Sequence, residues 1–591
     1  MREGPALKIG REQLFWLTLA GATLLVLGKA IYLGSGLQEN FATMGSDDIM
    51  RLVVVRDLIA GQSWFDMVQY RMLPPEGLSL HWSRYIDAGI AAVILPLSWV
   101  FEMELAEQIA AAVWPTVILL VALLIVALGT RRIFGAQAAC FAILSMVFWP
   151  LTADVHAAPG NFDHHNVQFL LVGLVVFGVI WPGTERRSGI VAGLAAAFSL
   201  AVGLENLVFI VVAGLILVTQ AAFGLHRARL FAFCTTLMGG SVVFWLGQAA
   251  PATRLVPVCD ELGTPILSLI AVGALAAALP LIVLRPTPKP FVLLGATTAL
   301  ALVGLAVIWP LFGPCLDGPY ANLSQELQDY ISTSIVEALP AIAYAQYNAL
   351  PAFIFLLPVI AALLLGGGYL WAQWQVLDVD QSRALTALLV FCAFGLALVF
   401  YQMRTVIMVA SVVPMIGGAV MSFLVTRYLA SRDAMRAVLM FAVIIVFVAP
   451  TLLAVGLQSV IPQKDRSGGG TPANCRTYAA LQSLNEIPPA QILSHGNMGA
   501  LLLWATRHDA LSAPYHRSAA ALSNGIIPFG MQEDEMANYL RASGASHLLL
   551  CRDQRYDGAF ATGLAAGAEV DWLRPVLLDN DSLLLFEILP Q

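Results

Sequence analysis

Two short stretches of this chain concentrate residue types that do chemistry. Gly45-Ser46-Asp47-Asp48 sets two carboxylates side by side, and Asp163-His164-His165 ends a segment reading ADVHAAPGNFDHH from Ala153. Neighbouring carboxylates give a hard divalent cation and a phosphate a common meeting place, and a carboxylate beside two imidazoles is a candidate metal-ligand set. Each stretch has a plainer reading. Ser-Asp-Asp is also a helix N-terminal pattern, and Asp-His-His alone is an ordinary polar loop end. Glu337 follows two β-branched residues in a segment that looks amphipathic from Gln325 to Glu337, as a solvent-facing helix charge or a functional carboxylate. Arg404, in Tyr401-Gln402-Met403-Arg404 beside apolar runs, either snorkels to an interface or holds an anion such as a lipid phosphate. Glu205, in Gly203-Leu204-Glu205-Asn206, marks a tight helical turn or, with His164, touches substrate.

The elements that must position these residues follow from composition. The chain has 591 residues, of which 59% are hydrophobic and 12% charged. That little charge cannot coat several water-soluble domains. Apolar runs such as Leu14 to Gly34 and Ala437 to Gly456 are long enough to cross a bilayer as helices, so the fold class is a polytopic α-helical membrane protein. A net charge of −7 leaves no basic surface for nucleic acid. Lys8 and Arg11 precede the first apolar run, and Arg131-Arg132, Arg186-Arg187, Arg227 with Arg229, and Arg285 with Lys289 lie in later short loops. The positive-inside rule places these in the cytoplasm together with the N-terminus. The parity works only if Asp87 to Phe101, short for a span, is an interfacial or re-entrant helix in the outer leaflet. About thirteen spans are then expected, centred near residues 24, 118, 144, 174, 195, 214, 241, 275, 301, 362, 393, 415 and 447.

An odd count leaves the C-terminus outside, and the outer loops become 35–105, 153–165 and 313–350. Residues 1–457 are read as the transmembrane domain. After about Leu457 the composition turns mixed, with a Ser467-Gly468-Gly469-Gly470 linker and strand-like pieces at Gln491 to Ser494 and His547 to Leu550, so residues 458–591 are read as an extracytoplasmic α/β domain. Cys259, Cys315, Cys475 and Cys551 all fall outside, where pairs Cys259 with Cys315 and Cys475 with Cys551, or buried free thiols, are the alternatives.

All the chemistry-bearing residues thus lie on one face, and their order resembles the GT-C integral-membrane glycosyltransferases, most closely the catalytic subunit of oligosaccharyltransferase. The resemblance covers most of the chain and rests on four motifs. The family's first acidic motif is similar to Gly45-Ser46-Asp47-Asp48, and its second to Gly160-Asn161-Phe162-Asp163-His164-His165. Its Ser/Thr-x-x-Glu signature is matched by Ser334-Ile335-Val336-Glu337, and its pyrophosphate-contacting arginine by Arg404. Two departures stand out. The second motif ends in His165 where the family usually has a carboxylate, which favours Mn²⁺ over Mg²⁺ or a smaller ligand set. The Trp-Trp-Asp acceptor motif is absent from the corresponding Ser494 to Gly499, and Leu511 to Arg517 suggests a different acceptor surface.

The resemblance implies transfer of a sugar or oligosaccharide from a polyprenyl-(pyro)phosphate donor to an extracytoplasmic glycan, lipid or protein, at the edge of a bilayer expected to be a bacterial inner membrane. It implies metal binding by Asp48, Asp163 and His165, acceptor orientation or general-base help from Asp47 or Glu337, and donor phosphate binding by Arg404. A polyprenyl-monophosphate-sugar transferase is the nearest alternative. A transporter or flippase of lipid-linked glycans is the alternative from another class, although transporters place ionisable residues near the midplane on broken helices.

Overall fold

The computed structural model describes residues 10–34, 44–284, 289–318, 320–321, 323–458, 473–552 and 554–590. Lys8, Arg285 and the Ser467–Gly470 linker lie outside the described residues. All thirteen expected centres fall in helices, and not all of these helices have the length and hydropathy of a full crossing. Eight described helices are long and apolar enough to cross a membrane, or nine if the pair Ala434–Val448 and Pro450–Leu457, bent by 94°, is one span. The difference has a physical cause. Ala136–Phe148, His165–Ile180 and Leu207–Ala222 are helices of 13, 16 and 16 residues, short of the roughly 20 that a bilayer needs. Glu185–Val202 opens on Glu185, Arg186 and Arg187.

Close helix packing here depends on small residues. A side chain at Gly189 would collide with the Arg229 carbonyl, one at Gly193 with Thr236, and one at Gly240 with Ala197, so the helices Glu185–Val202 and Arg227–Gln248 approach backbone to backbone. Outward-facing Leu24, Ile31, Val303 and Val307 are 63–74% exposed, as expected of surfaces that lipid covers. Asp87 to Phe101, expected as an interfacial element, lies in the helix Arg84–Ser98 and the turn after it, and that helix is not among the candidate spans.

The segment expected to be the first outer loop is folded rather than loose. After the helix Ser46–Ile59 it forms a small hairpin (Val68–Gln69 with Leu78–Ser79) and then the helix Arg84–Ser98. Ser46–Ile59 is anchored through its basic residues. Arg51 Nη1 donates to Asp87 Oδ1 at 2.9 Å, while Arg56 makes a two-pronged pair with Glu107 at 2.6 and 2.7 Å and also donates to the Trp504 carbonyl. One short helix is thus fastened to the span Met103–Phe134 and to the C-terminal region at once.

The C-terminal region holds a five-stranded mixed sheet in the order Asp509–Ala510, Gln491–Ser494, His547–Cys551, Leu583–Ile588, Leu573–Val576. Its first two pairings are parallel and its last two antiparallel. Leu493, Phe529, Met536, Leu540, Leu548 and Phe586 fill one face. The outer loop extends this sheet: Leu73 N–H donates to the Ala510 carbonyl, Ala510 N–H donates to that of Arg71, and the Arg71 guanidinium caps the carbonyls of Leu503, Thr506 and His508. Both cysteine pairs, Cys259 with Cys315 and Cys475 with Cys551, are disulfides, so the free-thiol alternative falls for these four.

Candidate functional site

The helix Ser46–Ile59 begins with two carboxylates because its N-terminus favours them. Its free N–H groups and the positive end of the helix dipole both attract anions. The N-cap is Gly45, and Asp48 at the third position reaches back to the Gly45 N–H at 3.2 Å. The other Asp48 oxygen accepts the N–H of Asp163 at 2.7 Å. The two motifs, separated by more than a hundred residues, therefore meet through a single carboxylate. Here the structure departs from the sequence-level assignment. Both Asp48 oxygens are taken by backbone N–H groups and the side chain is buried, whereas Asp47, one helical step away, is exposed and lines the adjoining cavity. Of these two neighbours, Asp47 faces what enters the cavity and Asp48 holds Asp163.

Asp163 sits just ahead of the helix His165–Ile180. Its Oδ1 accepts the His164 N–H at 2.7 Å and lies 2.7 Å from His164 Nδ1, while Oδ2 lies 3.4 Å from His165 Nε2. On its other side His164 Nε2 contacts Glu205 Oε1 at 2.7 Å. Glu205 is fixed in turn by Gln168, whose amide donates to Glu205 Oε2 at 2.9 Å and to the carbonyls of Ser199 and Gly203, while its oxygen accepts from Ser199 and Asn206. This buried network gives the tight turn at Gly203–Asn206 a purpose, which is to aim a carboxylate at His164.

The electrostatics are those of crowded carboxylates. Burial, with Asp163 and Asp47 nearby, raises Asp48 to about 8. Burial would also raise Asp163, but the imidazoles of His165 and His164 outweigh it and hold it well below the usual carboxylate range. Burial alone would lower His164; Asp163 and Glu205 instead raise it to about 10. Asp163, His164 and His165 each bring a ligand atom within 4.8 Å of the others'. The Nδ1 atom of His165 is buried without a hydrogen-bond partner among the described residues. An orphaned imidazole nitrogen beside a carboxylate and a second imidazole fits a cation.

The cavity beside this cluster has a volume of about 530 Å³ and is lined by Asp47, His164, His165, Glu205 and Arg404, together with a second group from distant segments: His81, Asp260, Tyr320 and His516. Sequence reasoning assigned no role to His81, Asp260 or His516. Their only signal was His81-Trp82 in the first loop, a disulfide cysteine next to Asp260, and Leu511 to Arg517 read as an acceptor surface. Arg517 grips Asp260 with two bonds of 2.7 Å, and His516 Nε2 lies 3.1 Å from the same carboxylate. Tyr515 donates to the Ser46 carbonyl at 3.3 Å and so closes the C-terminal domain over the first motif.

Arg404 opens a 3-10 turn, Met403–Val409, and its Nε donates to Gln402 Oε1 at 3.0 Å. It faces a second cavity as well, of about 550 Å³. The amphipathic stretch from Gln325 is a helix only to Ser334. Glu337 lies in a 3-10 turn after it, Val336–Ala338, and its side chain is outside the described residues.

A helical membrane body, two acidic motifs joined through Asp48 and a sheet-containing domain packed over them make up a fold that solved structures share. The chain matches the apo crystal structure of the Archaeoglobus fulgidus oligosaccharyltransferase with a TM-score of 0.68 and 13% identity, over 91% of this chain and 70% of that one. It also matches the archaeal oligosaccharyltransferase AglB from Archaeoglobus fulgidus in complex with an inhibitory peptide and a dolichol-phosphate (TM-score 0.63, 14% identity, 90% and 69% covered) and the Archaeoglobus fulgidus oligosaccharyltransferase in complex with Zn and sulfate (0.58, 14%, 91% and 68%). No family model and no curated protein matches the sequence.

Proposed function

We propose that the protein is a multi-pass glycosyltransferase that moves a sugar or oligosaccharide from a polyprenyl-phosphate or -pyrophosphate donor to an extracytoplasmic acceptor. The observation that carries this reading is the single cavity onto which Asp47, His164, His165, Glu205 and Arg404 converge from four separate segments. The fold shared with an oligosaccharyltransferase supports it, and so do the lipid-facing surfaces around the membrane body. Residues 1–457 form the membrane-embedded catalytic part and 458–591 a periplasmic domain, in a bacterial inner membrane with the N-terminus cytoplasmic.

Departure of a polyprenyl phosphate builds negative charge while the sugar gains oxocarbenium character. Asp163 and His165, with His164 beside them, would hold a divalent cation, Mn²⁺ or Mg²⁺, which supplies charge neutralisation at the leaving group. Asp48 positions Asp163 through its N–H. The Arg404 guanidinium binds the phosphate by charge-assisted hydrogen bonds. Asp47, exposed at the cavity edge, orients the acceptor and takes its proton, and Glu337 is the alternative carboxylate for that role. The acceptor meets Tyr515, His516 and Tyr320 rather than a Trp-Trp-Asp motif, so a glycan, a lipid and a protein all stand as acceptor classes.

Mass spectrometry of glycans and lipid-linked intermediates in a deletion strain tests the proposal. The expected result is accumulation of one lipid-linked donor together with loss of one glycosylated product; unchanged lipid and glycan profiles would refute it.

A further inference from the structure

Several buried or half-buried arginines of this protein are answered by carboxylates, Arg51 and Arg84 by Asp87, Arg56 by Glu107 and Arg517 by Asp260, and others, such as Arg71 and Arg229, by sets of backbone carbonyls. Arg404 and Arg476 have neither, and both line the second cavity. Arg404 spends only its Nε on Gln402. Arg476 donates one Nη2 bond to the Met44 carbonyl at 2.5 Å, and its Nε is buried with no hydrogen-bond partner. No carboxylate of the described residues pairs with either. A guanidinium taken from water into a half-apolar cavity without a counter-charge is costly unless an anion completes it.

The shape of the two cavities says where that anion goes. They share Ser46, Ile335, Arg404 and Asn497, so they are neighbouring chambers with Arg404 at the partition. The second chamber is otherwise lined by groups such as Leu151, Val155, Phe355 and Val406, an apolar surface suited to a prenyl chain. Arg476 reaches it from a separate segment. It belongs to the C-terminal domain, next to Cys475, whose disulfide to Cys551 ties it to the central strand of the sheet, and it is seated on the residue just before the first acidic motif.

Resting on the proposed function, we infer that Arg476 is a second donor-binding guanidinium, supplied by the C-terminal domain, and that with Arg404 it selects a lipid pyrophosphate over a lipid monophosphate. One guanidinium fork suits one phosphoryl group; two forks in one chamber suit the two linked phosphoryl groups and the extra charge of a pyrophosphate. Arg476 is a binding residue for the leaving group and takes no part in proton transfer.

The test uses the full chain in detergent with two probes, farnesyl pyrophosphate and farnesyl phosphate, titrated calorimetrically. Wild type is expected to bind the pyrophosphate about tenfold more tightly, the worth of one charge-assisted contact. Arg476→Gln should reduce that preference to about twofold or less, almost wholly by weakening the pyrophosphate, whereas Arg404→Gln should weaken both probes. If Arg476→Gln does not fold, Arg476→Lys decides: a preference cut at least threefold supports the inference and an unchanged one overturns it. A folded Arg476→Gln with wild-type preference, or a wild type without preference, overturns the inference and leaves the proposed transferase standing. A wild type that binds neither probe overturns both.

Discussion

Two clusters built from the same residue types face one cavity. Asp163, His164 and His165, with Glu205, come mostly from one short run of sequence, while His81, Asp260 and His516 come from three outer segments. They differ in how charge is closed. Asp260 is gripped by Arg517 at 2.7 Å through both its oxygens, and its pKa is held well below the usual carboxylate range by Arg517 and His516 against the effect of burial. Asp163 and Glu205 have only imidazoles between them, and no lysine or arginine pairs with either among the described residues. A carboxylate–imidazole cluster is therefore not a metal site by composition. The open cluster has room for a cation, and the closed one has spent its charge on holding the C-terminal domain against the outer loops.

The sharpest way to break this comparison is to neutralise one carboxylate in each cluster. Asp163→Asn should lower transfer from a lipid-linked donor at least about a hundredfold and weaken binding of added Mn²⁺ or Mg²⁺, since losing a ligand or its support costs metal sites on the order of 10–100-fold in affinity. Asp260→Asn should leave metal binding unchanged. Metal titration of both purified variants decides, and equal weakening in the two would erase the distinction drawn here.

Next in size is the cost of opening the closed cluster. Arg517→Ala removes the partner of a carboxylate that is only 16% exposed, so the expected loss is about 2 kcal/mol, between the ~1 of an exposed pair and the 3–5 of a buried one. Urea unfolding should show it, along with easier proteolytic release of the C-terminal domain. A substitution in the open cluster's frame, Gln168→Leu, should instead disturb activity through Glu205, because it removes the amide that aims that carboxylate. A wild-type unfolding curve for Arg517→Ala would show that the pair contributes nothing to docking.

Much of this contrast was visible in the sequence, but unevenly. The open cluster was legible because Asp163, His164 and His165 are neighbours in the chain. The strands Gln491–Ser494 and His547–Cys551 were legible from their apolar runs. Which of Asp47 and Asp48 meets the cavity was not, because adjacent residues on a helix point about 100° apart and only the packing fixes the phase. The closed cluster was invisible for a different reason. His81, Asp260 and His516 are separated by 179 and 256 positions, and nothing local to any of them requires the others. Arg476 was hidden in the same way. The number of crossings is hard to read from sequence because an apolar run reports burial as readily as lipid contact, and a helix such as Ala136–Phe148 has nine of its thirteen residues buried.

The smallest predicted effect concerns pH, and it follows from the one member of the closed cluster that is not held by a carboxylate. His81 packs ring to ring with His516 at 4.7 Å, and Arg517, Asp260 and Tyr320 complete its surroundings. Burial, then repulsion from His516 and Arg517, lowers its pKa from 6.5 to about 3, so it is neutral in the folded protein across the physiological range. The unfolded chain takes up a proton near pH 6.5 that the folded one refuses, and stability must fall as pH drops from about 6.5 toward 3. Asp260 behaves oppositely in window: its depressed pKa contributes stability that is complete above about pH 4 and is lost only below it. Between pH 4.5 and 6.5 the slope from this cluster therefore belongs to His81. Thermal melts of His81→Gln and wild type over that range should diverge, with the variant losing less stability toward acid, while Asp260→Asn lowers the melting temperature by a near-constant amount. Parallel melting profiles for His81→Gln and wild type would mean that His81 is solvated, and that the closed cluster is closed on one side only.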